Sequence, residues 1–518
     1  MKVAVIQVQA NNLSEHRQAW ERLESMVQDA ATSHDLVLVP ECAFPAYFIH
    51  PDEGDVGQIV AEGESLLARI KCIARQHETY IAYGYVEKDG NALFNTALLI
   101  DRKGNEVAKK RKSFLWHFDS QWFTEGKDLA VADTDFGKVG LVVCADARMP
   151  EIVRLAAIDG AKLIIDLANL TATGPDISAL QNAQSTYMLS IRALENQVWL
   201  AVSDKWGVEA DSITYAGRSG VFAPDGSCVF QASSDKDEIV SVDIPTDEKG
   251  KIVCPGSISV IRRPELYEPL TWDKESLPVA RMLREPVIPA EVTPYVTVAA
   301  GEIQSAEKYL QMIRRFVHQG SGIICMPPVS ISLSEMAETI ARLLPRGVVT
   351  AATELNENGL MTTYMITSQG IERTFRTLHS EEAQDSKDYP IFQTQWGNIG
   401  IMHDKEALLP EWPRTLMLLG ADCLLWPNRL PHTIAFNVGR TRAAENRIYV
   451  VSAQSGNEGG ISQIIDPNGT VAASTLQNRT IHACGTLALF AASRVKTIVP
   501  GTNVVANRHP QSYGGILK

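Results

Sequence analysis

Three residues stand where apolar strands end, and their types together would support nucleophilic chemistry. Cys144 closes the run VGLVVC (139–144) and is followed by ADARMPE, where a turn and then a helix are expected. That puts its sulfur on a strand-to-helix turn, exposed at the strand's carboxyl end. The amides of the next helix would lower the thiol pKa there and could bind an oxyanion. Glu41 ends LVLVP (36–40), at the mouth of the sheet, where partial desolvation would raise its pKa and make it a usable base. Lys112 ends the basic cluster KKRK (109–112), which passes at once into FLWHF (114–118). At least one of these charges must enter an aromatic, half-buried environment and meet a carboxylate or a developing oxyanion. Taken singly, each has a plainer reading: a core thiol, a loop carboxylate, a solvated basic face. Taken together they make a set. A thiolate attacks an sp² or sp carbon, a carboxylate moves the thiol proton to a leaving nitrogen, and a fixed cation stabilises the tetrahedral intermediate.

The elements that must hold these residues alternate between strand and helix. Residues 3–9 alternate as a strand, 15–31 carry helical apolar spacing (Trp20, Leu23, Met26, Val27, Ala30), and 36–40 read as a buried strand. A helix is expected over 65–76, and strands over 80–86, 93–100 and 106–109 with turn signals at KDGN and DRKGN. A helix over about 150–159 and a strand over 162–167 follow Cys144. Strand–helix alternation mixed with hairpins indicates a layered α/β domain with a mixed sheet.

The second half repeats this order. Residues 136–170 align without a gap on 396–430, anchored by Gly140 with Gly400, Pro150-Glu151 with Pro410-Glu411, and Gly160-Ala161 with Gly420-Ala421. RALENQVWLAVS (192–203) matches RAAENRIYVVSA (442–453), and IICMPP (323–328) matches the strand that ends at Glu41. Several matched blocks in one order indicate an internal duplication. The expected organisation is a first domain over 1–267, a proline- and charge-rich linker or extension over 268–293, and a second domain over 294–518. In the second copy Glu41 corresponds to Pro328, Lys112 falls near Thr377, and Cys144 aligns with Asp404. The functional types are absent while the framework residues remain, as in a degenerate domain. His403, Asp404 and Glu406 are too few and too close for a metal reading. Glu195 and Asn196, with counterparts Glu445 and Asn446, read as structural for the same reason: they are kept in both halves.

Composition sets the class. The 518 residues are 45% hydrophobic and 21% charged with a net charge of −13, which is a soluble globular balance and argues against nucleic-acid or anionic-membrane partners. No secretory signal or membrane-spanning run is evident. The eight cysteines lack C-x-x-C or zinc spacing and read as reduced, mostly core thiols in a cytoplasmic protein.

The motifs also carry a resemblance. Pro40-Glu41, Arg111-Lys112 and Cys144-Ala-Asp146-Ala-Arg148-Met-Pro150-Glu151, in that order, resemble the three motifs of the nitrilase superfamily, the carbon–nitrogen hydrolases. Tyr47, Trp122-Phe123-Thr124, Gly126, Ala168-Asn169 and Arg262-Arg-Pro-Glu-Leu-Tyr267 add to the match, which covers about 1–270. The resemblance implies two tandem α-β-β-α sandwiches and catalysis by Glu41, Lys112 and Cys144 through a thioester. It implies no metal or organic cofactor and a small amide-like substrate. It also implies face-to-face pairing, which a fused copy would supply within one chain, leaving homo-oligomers open. Many relatives carry a second glutamate after the lysine; that position is Asp119 here, a departure. The residue after the cysteine is Ala145, smaller than in many relatives, which suggests a roomier pocket. Tyr47, Trp116, His117, Arg148 and Asn169 are candidate substrate-binding residues, with pairing to Glu151 or Asp146 the alternative for Arg148. The Cys-x-Asp-x-Arg-x-Pro-Glu form is closer to the amidase and carbamoyl-hydrolase branches than to true nitrilases. The implied order is therefore amidase, N-carbamoyl amide hydrolase, nitrilase. The readings of another class are a non-catalytic sensor or scaffold built from two modules, or an ammonia-supplying domain for a separate synthetase.

Overall fold

The computed structural model describes all residues except 51, 53, 257–259, 285–292, 384–387, 457–459 and 477–480. Two compact units divide the chain: Met1–Ile258 with Val499–Thr502, and Ser259–Ile498 with Asn503–Lys518. Residues 285–292 of the expected linker lie outside the described residues; the part before them forms short 3-10 turns and a helix, Pro278–Arg284.

The first unit opens with β1 (Lys2–Gln9), α1 (His16–Ala31), β2 (Leu36–Val39), α2 (Val56–His77), β3 (Tyr80–Asp89), β4 (Ala92–Ile100) and β5 (Glu106–Arg111). It continues through β6 (Ala130–Thr134), β7 (Gly137–Val143), α3 (Pro150–Ile158), β8 (Leu163–Leu167), α4 (Leu189–Asn196) and β9 (Trp199–Ser203). β10 (Lys205–Glu209), β11 (Ile213–Ala216), β12 (Gly220–Phe222), β13 (Cys228–Gln231) and β14 (Glu238–Asp243) complete it. One sheet runs β11-β10-β1-β2-β3-β4-β5, with β14 also paired to β1; the other runs β13-β12-β9-β8-β7-β6.

The strands' alternation builds the layers. Val3, Val5, Leu36, Leu38, Ala97 and Leu99 of the first sheet share one core with Val139, Leu141, Leu163, Ile165 and Leu200 of the second. The opposite residues of the first sheet (Ala4, Ile6, Val37, Val39, Ile81, Tyr83) pack under α1 and α2. A period of two therefore sorts each strand between two cores. The apolar stripe of α1 is the one expected, with Trp20, Leu23, Val27 and Ala30 buried. α2 starts nine residues earlier than expected because the Asp55 carboxylate accepts the Gln58 N–H, at 3.1 Å, and caps it. α3 and α4 flank the second sheet, so the unit is an α-β-β-α sandwich.

The second unit follows α5 (Pro278–Arg284) with β15 (Tyr295–Gly301), α6 (Ala306–His318), β16 (Ile323–Cys325), α7 (Leu333–Ala341), β17 (Val349–Leu355), β18 (Met361–Thr367) and β19 (Gly370–Arg376). Its second sheet holds β20 (Ile391–Gln393), β21 (Asn398–Ile401), β22 (Cys423–Asn428), β23 (Tyr449–Gln454), β24 (Gln463–Ile465) and β25 (Val471–Ser474), with α8 (Glu411–Leu418) and α9 (His432–Asn446) between strands. The sheet orders are β19-β18-β17-β16-β15-β26, where β26 is Ile481–Leu487, and β20-β21-β22-β23-β24-β25. These repeat the first unit's plan of a parallel centre flanked by antiparallel hairpins. β27 (Thr497–Val499) and β28 (Thr502–Asn503) form a separate small hairpin. Among the described residues, no helix is long and apolar enough to cross a membrane.

Candidate active site

β2 delivers Glu41 to the carboxyl edge of the first sheet. Gly84 of β3 passes so close that a Cβ there would stand 2.2 Å from the Pro40 carbonyl, so only glycine fits beside the strand end. β5 carries Lys112 to the same edge, held by its own N–H donating to the Asn95 carbonyl at 2.8 Å. β7 delivers Cys144, which opens a 3-10 turn over Cys144–Arg148 with φ at +51°. A non-glycine residue in the left-handed region is uncommon and is kept only where its surroundings demand it.

The side chains then meet. Lys112 Nζ lies 2.8 Å from Glu41 Oε1 and 2.7 Å from Asp119 Oδ2, and all three side chains are fully buried. Asn95 Nδ2 also donates to Glu41 Oε1, at 2.5 Å, while Glu41 Oε2 is buried with no hydrogen-bond partner. Asn169 touches both other parts: its amide donates to the Glu41 carbonyl at 3.2 Å, and its own carbonyl accepts the Cys144 thiol at 3.6 Å.

Electrostatics follow from burial. Desolvation raises the Glu41 pKa, with Asp119 adding to it and Lys112 opposing. Burial alone would lower the Lys112 pKa; the adjacent Asp119 and Glu41 charges outweigh it and hold the ammonium well above its usual range. The Cys144 thiol is pushed well above its ordinary value by burial first and the Glu41 charge second, with Lys112 opposing. Two expectations are corrected here. The sulfur is buried rather than exposed, and its pKa rises rather than falls. The physical reason is that the Cys144 N–H is spent on Asp166 Oδ1, at 2.7 Å, and the desolvation penalty exceeds what the Lys112 charge returns.

Asp119 joins the group: besides Lys112, its Oδ1 accepts the Tyr47 hydroxyl at 2.5 Å and its Oδ2 the Trp116 N–H at 2.9 Å. Tyr47 is thus a buried support for Asp119, its loop fixed by Glu209, whose Oε1 accepts the Tyr47 and Phe48 N–H groups at 2.9 and 2.6 Å. Trp116 is half-buried beneath the Arg148 guanidinium, 5.1 Å from its ring centroid. Asp146 accepts the Ser113 and Phe114 N–H groups, at 3.0 and 2.8 Å, and so joins the lysine loop to the cysteine turn. Ala145 is buried in the core beside the turn. His117 is exposed and lines a separate pocket of about 400 Å³ with Phe48, Phe118 and Trp122. Of the eight cysteines, Cys42, Cys144, Cys325 and Cys423 are buried, Cys254 and Cys484 pack partly buried against the cores, and Cys72 and Cys228 are exposed.

Arg192 accounts for the retained helix motif. Its guanidinium donates to the Ala147 and Arg148 carbonyls, both at 2.8 Å, and pairs with Glu195 at 2.7 Å, bracing the turn after Cys144. Asn95, Asp166, Glu209 and Gln184, whose amide donates to the Cys144 carbonyl at 2.9 Å, were missed by reasoning from sequence. Asn95 within LFNTALL and Asp166 within LIIDL do carry a signal: a polar residue inside a buried apolar strand must have a partner.

The second unit keeps several of these scaffold bonds with other residue types at the three positions. Thr377 N–H donates to the Met361 carbonyl at 3.0 Å, as Lys112 does to Asn95. Leu378 and His379 N–H groups donate to Glu406 Oε1, at 2.8 and 3.2 Å, as Ser113 and Phe114 do to Asp146. Arg442 donates to the Ala407 carbonyl at 2.7 Å, as Arg192 does to Ala147. These registers set Thr377 and Asp404 at the Lys112 and Cys144 positions, and Ile323–Cys325, paired between its neighbours as β2 is, sets Pro328 at that of Glu41. Asp404 keeps the left-handed backbone, with φ at +42°, and its carboxylate pairs with Arg429 at 3.3 Å. Among the described residues, no group of three or more His, Cys, Asp or Glu is arranged to hold a metal ion.

The carbon-nitrogen hydrolase family model matches residues 2–251 and again 298–484. A hydrolase from the pqqF 5′ region of Pseudomonas protegens is 31% identical over 256 residues, covering 48% of this chain and 85% of that protein. A nitrilase of Pyrococcus abyssi is 29% identical over 274 residues, covering 52% of this chain and 99% of that protein. An amidase from Nesterenkonia sp. of known structure aligns at 24% identity with a TM-score of 0.43, over 52% of this chain and 95% of that one. With matches over both halves of its length, this chain belongs to the carbon-nitrogen hydrolase family.

Proposed function

We propose that the first unit is an amidase-type hydrolase in which Cys144 attacks the carbonyl carbon of a small amide and forms a thioester. The observation that carries the reading is the fully buried Glu41–Lys112–Asp119 cluster, joined to the Cys144 thiol through Asn169, with Glu41 Oε2 left without a partner. In this reading the resting thiol is neutral, as its raised pKa favours, and the ionised form of Glu41 is the one that reacts. Glu41 Oε2 takes the thiol proton as sulfur attacks, then passes it to the leaving nitrogen. The Lys112 ammonium faces the oxyanion of the tetrahedral intermediate, and Asp119 and Tyr47 keep that charge in place. Water, activated by the same Glu41, then hydrolyses the thioester and frees Cys144.

Ala145 in place of a larger side chain favours an acyl group of some bulk. N-carbamoyl amides and then nitriles are the next substrate classes, since both present an electrophilic carbon to the same thiolate. The second unit, with Pro328, Thr377 and Asp404 at the three positions, is non-catalytic in this reading. Ammonia release from a panel of small amides, ureides and nitriles ranks the substrate classes. Intact-mass detection of an acyl adduct at Cys144, absent in Cys144→Ala, tests the covalent step; no adduct with any turned-over substrate would sink it. The exposed Cys72 and Cys228 make labelling speed a poor test by itself. The informative comparison is alkylation of Cys144 in the native chain and in Glu41→Gln, where loss of the base should slow it.

A further inference from the structure

The lysine loop is gripped by a residue 385 positions away. Val499–Thr502 belongs to the first compact unit although it lies between two stretches of the second unit in sequence, Ser259–Ile498 and Asn503–Lys518. Thr502 is fully buried, and its hydroxyl works in both directions: it accepts the His117 N–H at 2.7 Å and donates to the Leu115 carbonyl at 3.3 Å. These two groups flank Trp116. Trp116 in turn holds Asp119 through two bonds: its N–H donates to Asp119 Oδ2, and its carbonyl accepts the Asp119 N–H, each at 2.9 Å. Asp119 Oδ2 is the atom 2.7 Å from Lys112 Nζ. Gly501 sets how closely the strap approaches. Its φ is +82°, and a Cβ there would stand 2.7 Å from the His117 carbonyl oxygen. His117 itself has φ at +50°, a conformation that its own side chain does not favour.

We infer that Thr502 is a positioning residue for the reaction: its hydroxyl brackets Leu115 and His117, fixes the turn that presents Asp119, and through Asp119 aims Lys112 at the developing oxyanion. The inference rests on the assignment of Lys112 proposed above. It goes beyond that assignment by making a distant hairpin tip part of the site's geometry. A single buried hydroxyl can matter this much because the lysine ammonium must sit within a few tenths of an ångström of the developing charge. The turn carrying Asp119 is short, and among the described residues no regular helix or sheet ladder holds it in place.

The test uses the full chain carrying Thr502→Val, Thr502→Ser or Gly501→Ala. Thr502→Val keeps the shape and removes both bonds; Thr502→Ser keeps the hydroxyl. Thr502→Val should lower kcat about tenfold or more with little change in KM, while Thr502→Ser stays within about twofold. A merely structural role would lower the melting temperature and leave kcat per folded molecule unchanged, which would overturn the inference. Should Thr502→Val fail to fold, Gly501→Ala decides: a folded variant with native kcat refutes the bracket, and one with reduced kcat supports it. Amide hydrogen exchange over 114–122 in the folded Thr502→Val chain provides a readout independent of turnover. Faster exchange supports the bracket even if no amide proves to be a substrate, and unchanged exchange refutes it even if the native chain is an active amidase.

Discussion

Two buried glutamates, one in each unit, are pushed in opposite directions. Burial raises the pKa of Glu41, and its neighbours do not cancel that penalty. Glu406 in the second unit faces the same penalty, but the His379 hydrogen bond, the His379 and His403 charges and the His403 N–H outweigh it and bring its pKa down to about 2. Glu406 occupies the place of Asp146, the framework carboxylate, and not the place of Glu41. The difference separates two uses of a buried carboxylate. One that is saturated with donors supports the fold. One that keeps a buried oxygen without a hydrogen-bond partner among the described residues is costly to the fold and, in the proposed reading, useful to chemistry. The second unit has kept the first kind and replaced the second kind with Pro328.

The strongest way to break this comparison is to remove the proposed nucleophile. Cys144→Ala should cut turnover by about 10⁴-fold or more, and Asp404→Ala at the matching position should leave it within about twofold. Comparable losses in both variants would mean that the second unit takes part in catalysis. Glu41→Gln comes next, with an expected loss in kcat of about 10²–10⁴-fold. Because the Glu41 pKa is raised and its ionised form is the proposed base, native kcat/KM should fall as pH drops through a value above the ordinary 4.5. A native profile whose acid limb lies at or below that value would contradict the burial argument.

Glu406→Gln reads the other half of the comparison through stability. A depressed pKa contributes stability that is fully present above the ordinary 4.5 and is lost as pH falls through about 2. The variant should therefore unfold more easily by about 1–3 kcal/mol at neutral pH, with the deficit shrinking in acid. Its activity should change little. Denaturant unfolding at pH 7 and pH 3 checks both the size and the sign. Asp119→Asn is expected to be milder, about 10–100-fold in kcat, because Glu41 still holds Lys112 on one side. Asp404→Asn should be smallest, within about 1 kcal/mol of native stability, since the Arg429 guanidinium it pairs with is partly exposed and asparagine also tolerates the left-handed backbone.

Much of the fold was legible because its signals are local. The strands that deliver Glu41 and Cys144 are unbroken apolar runs, and the stripe of Trp20, Leu23, Val27 and Ala30 has helical period. The start of α2 was not legible, because it depends on an Asp55 cap ahead of a weakly patterned segment. The thiol's environment was misjudged for a different reason. Strand ends are often open, and only packing shows that Asn169, Asp166 and the lysine loop close over this one.

What the sequence determined by itself was the type of each reactive group, its place at a strand end, and the loss of all three types in the second copy. Those follow from residue identity, short-range pattern and internal repetition. What only the tertiary structure decided was the network around them. Asn95 and Asp119 converge on one ion pair, Tyr47 serves Asp119, and Thr502 brackets a turn that lies 385 residues before it. Contacts between residues far apart in the chain leave no local periodicity. Burial then sets the energies of those contacts: the raised Glu41 pKa was expected from its strand-end position, whereas the rise at Cys144 comes from packing around the sulfur that no spacing in the chain encodes.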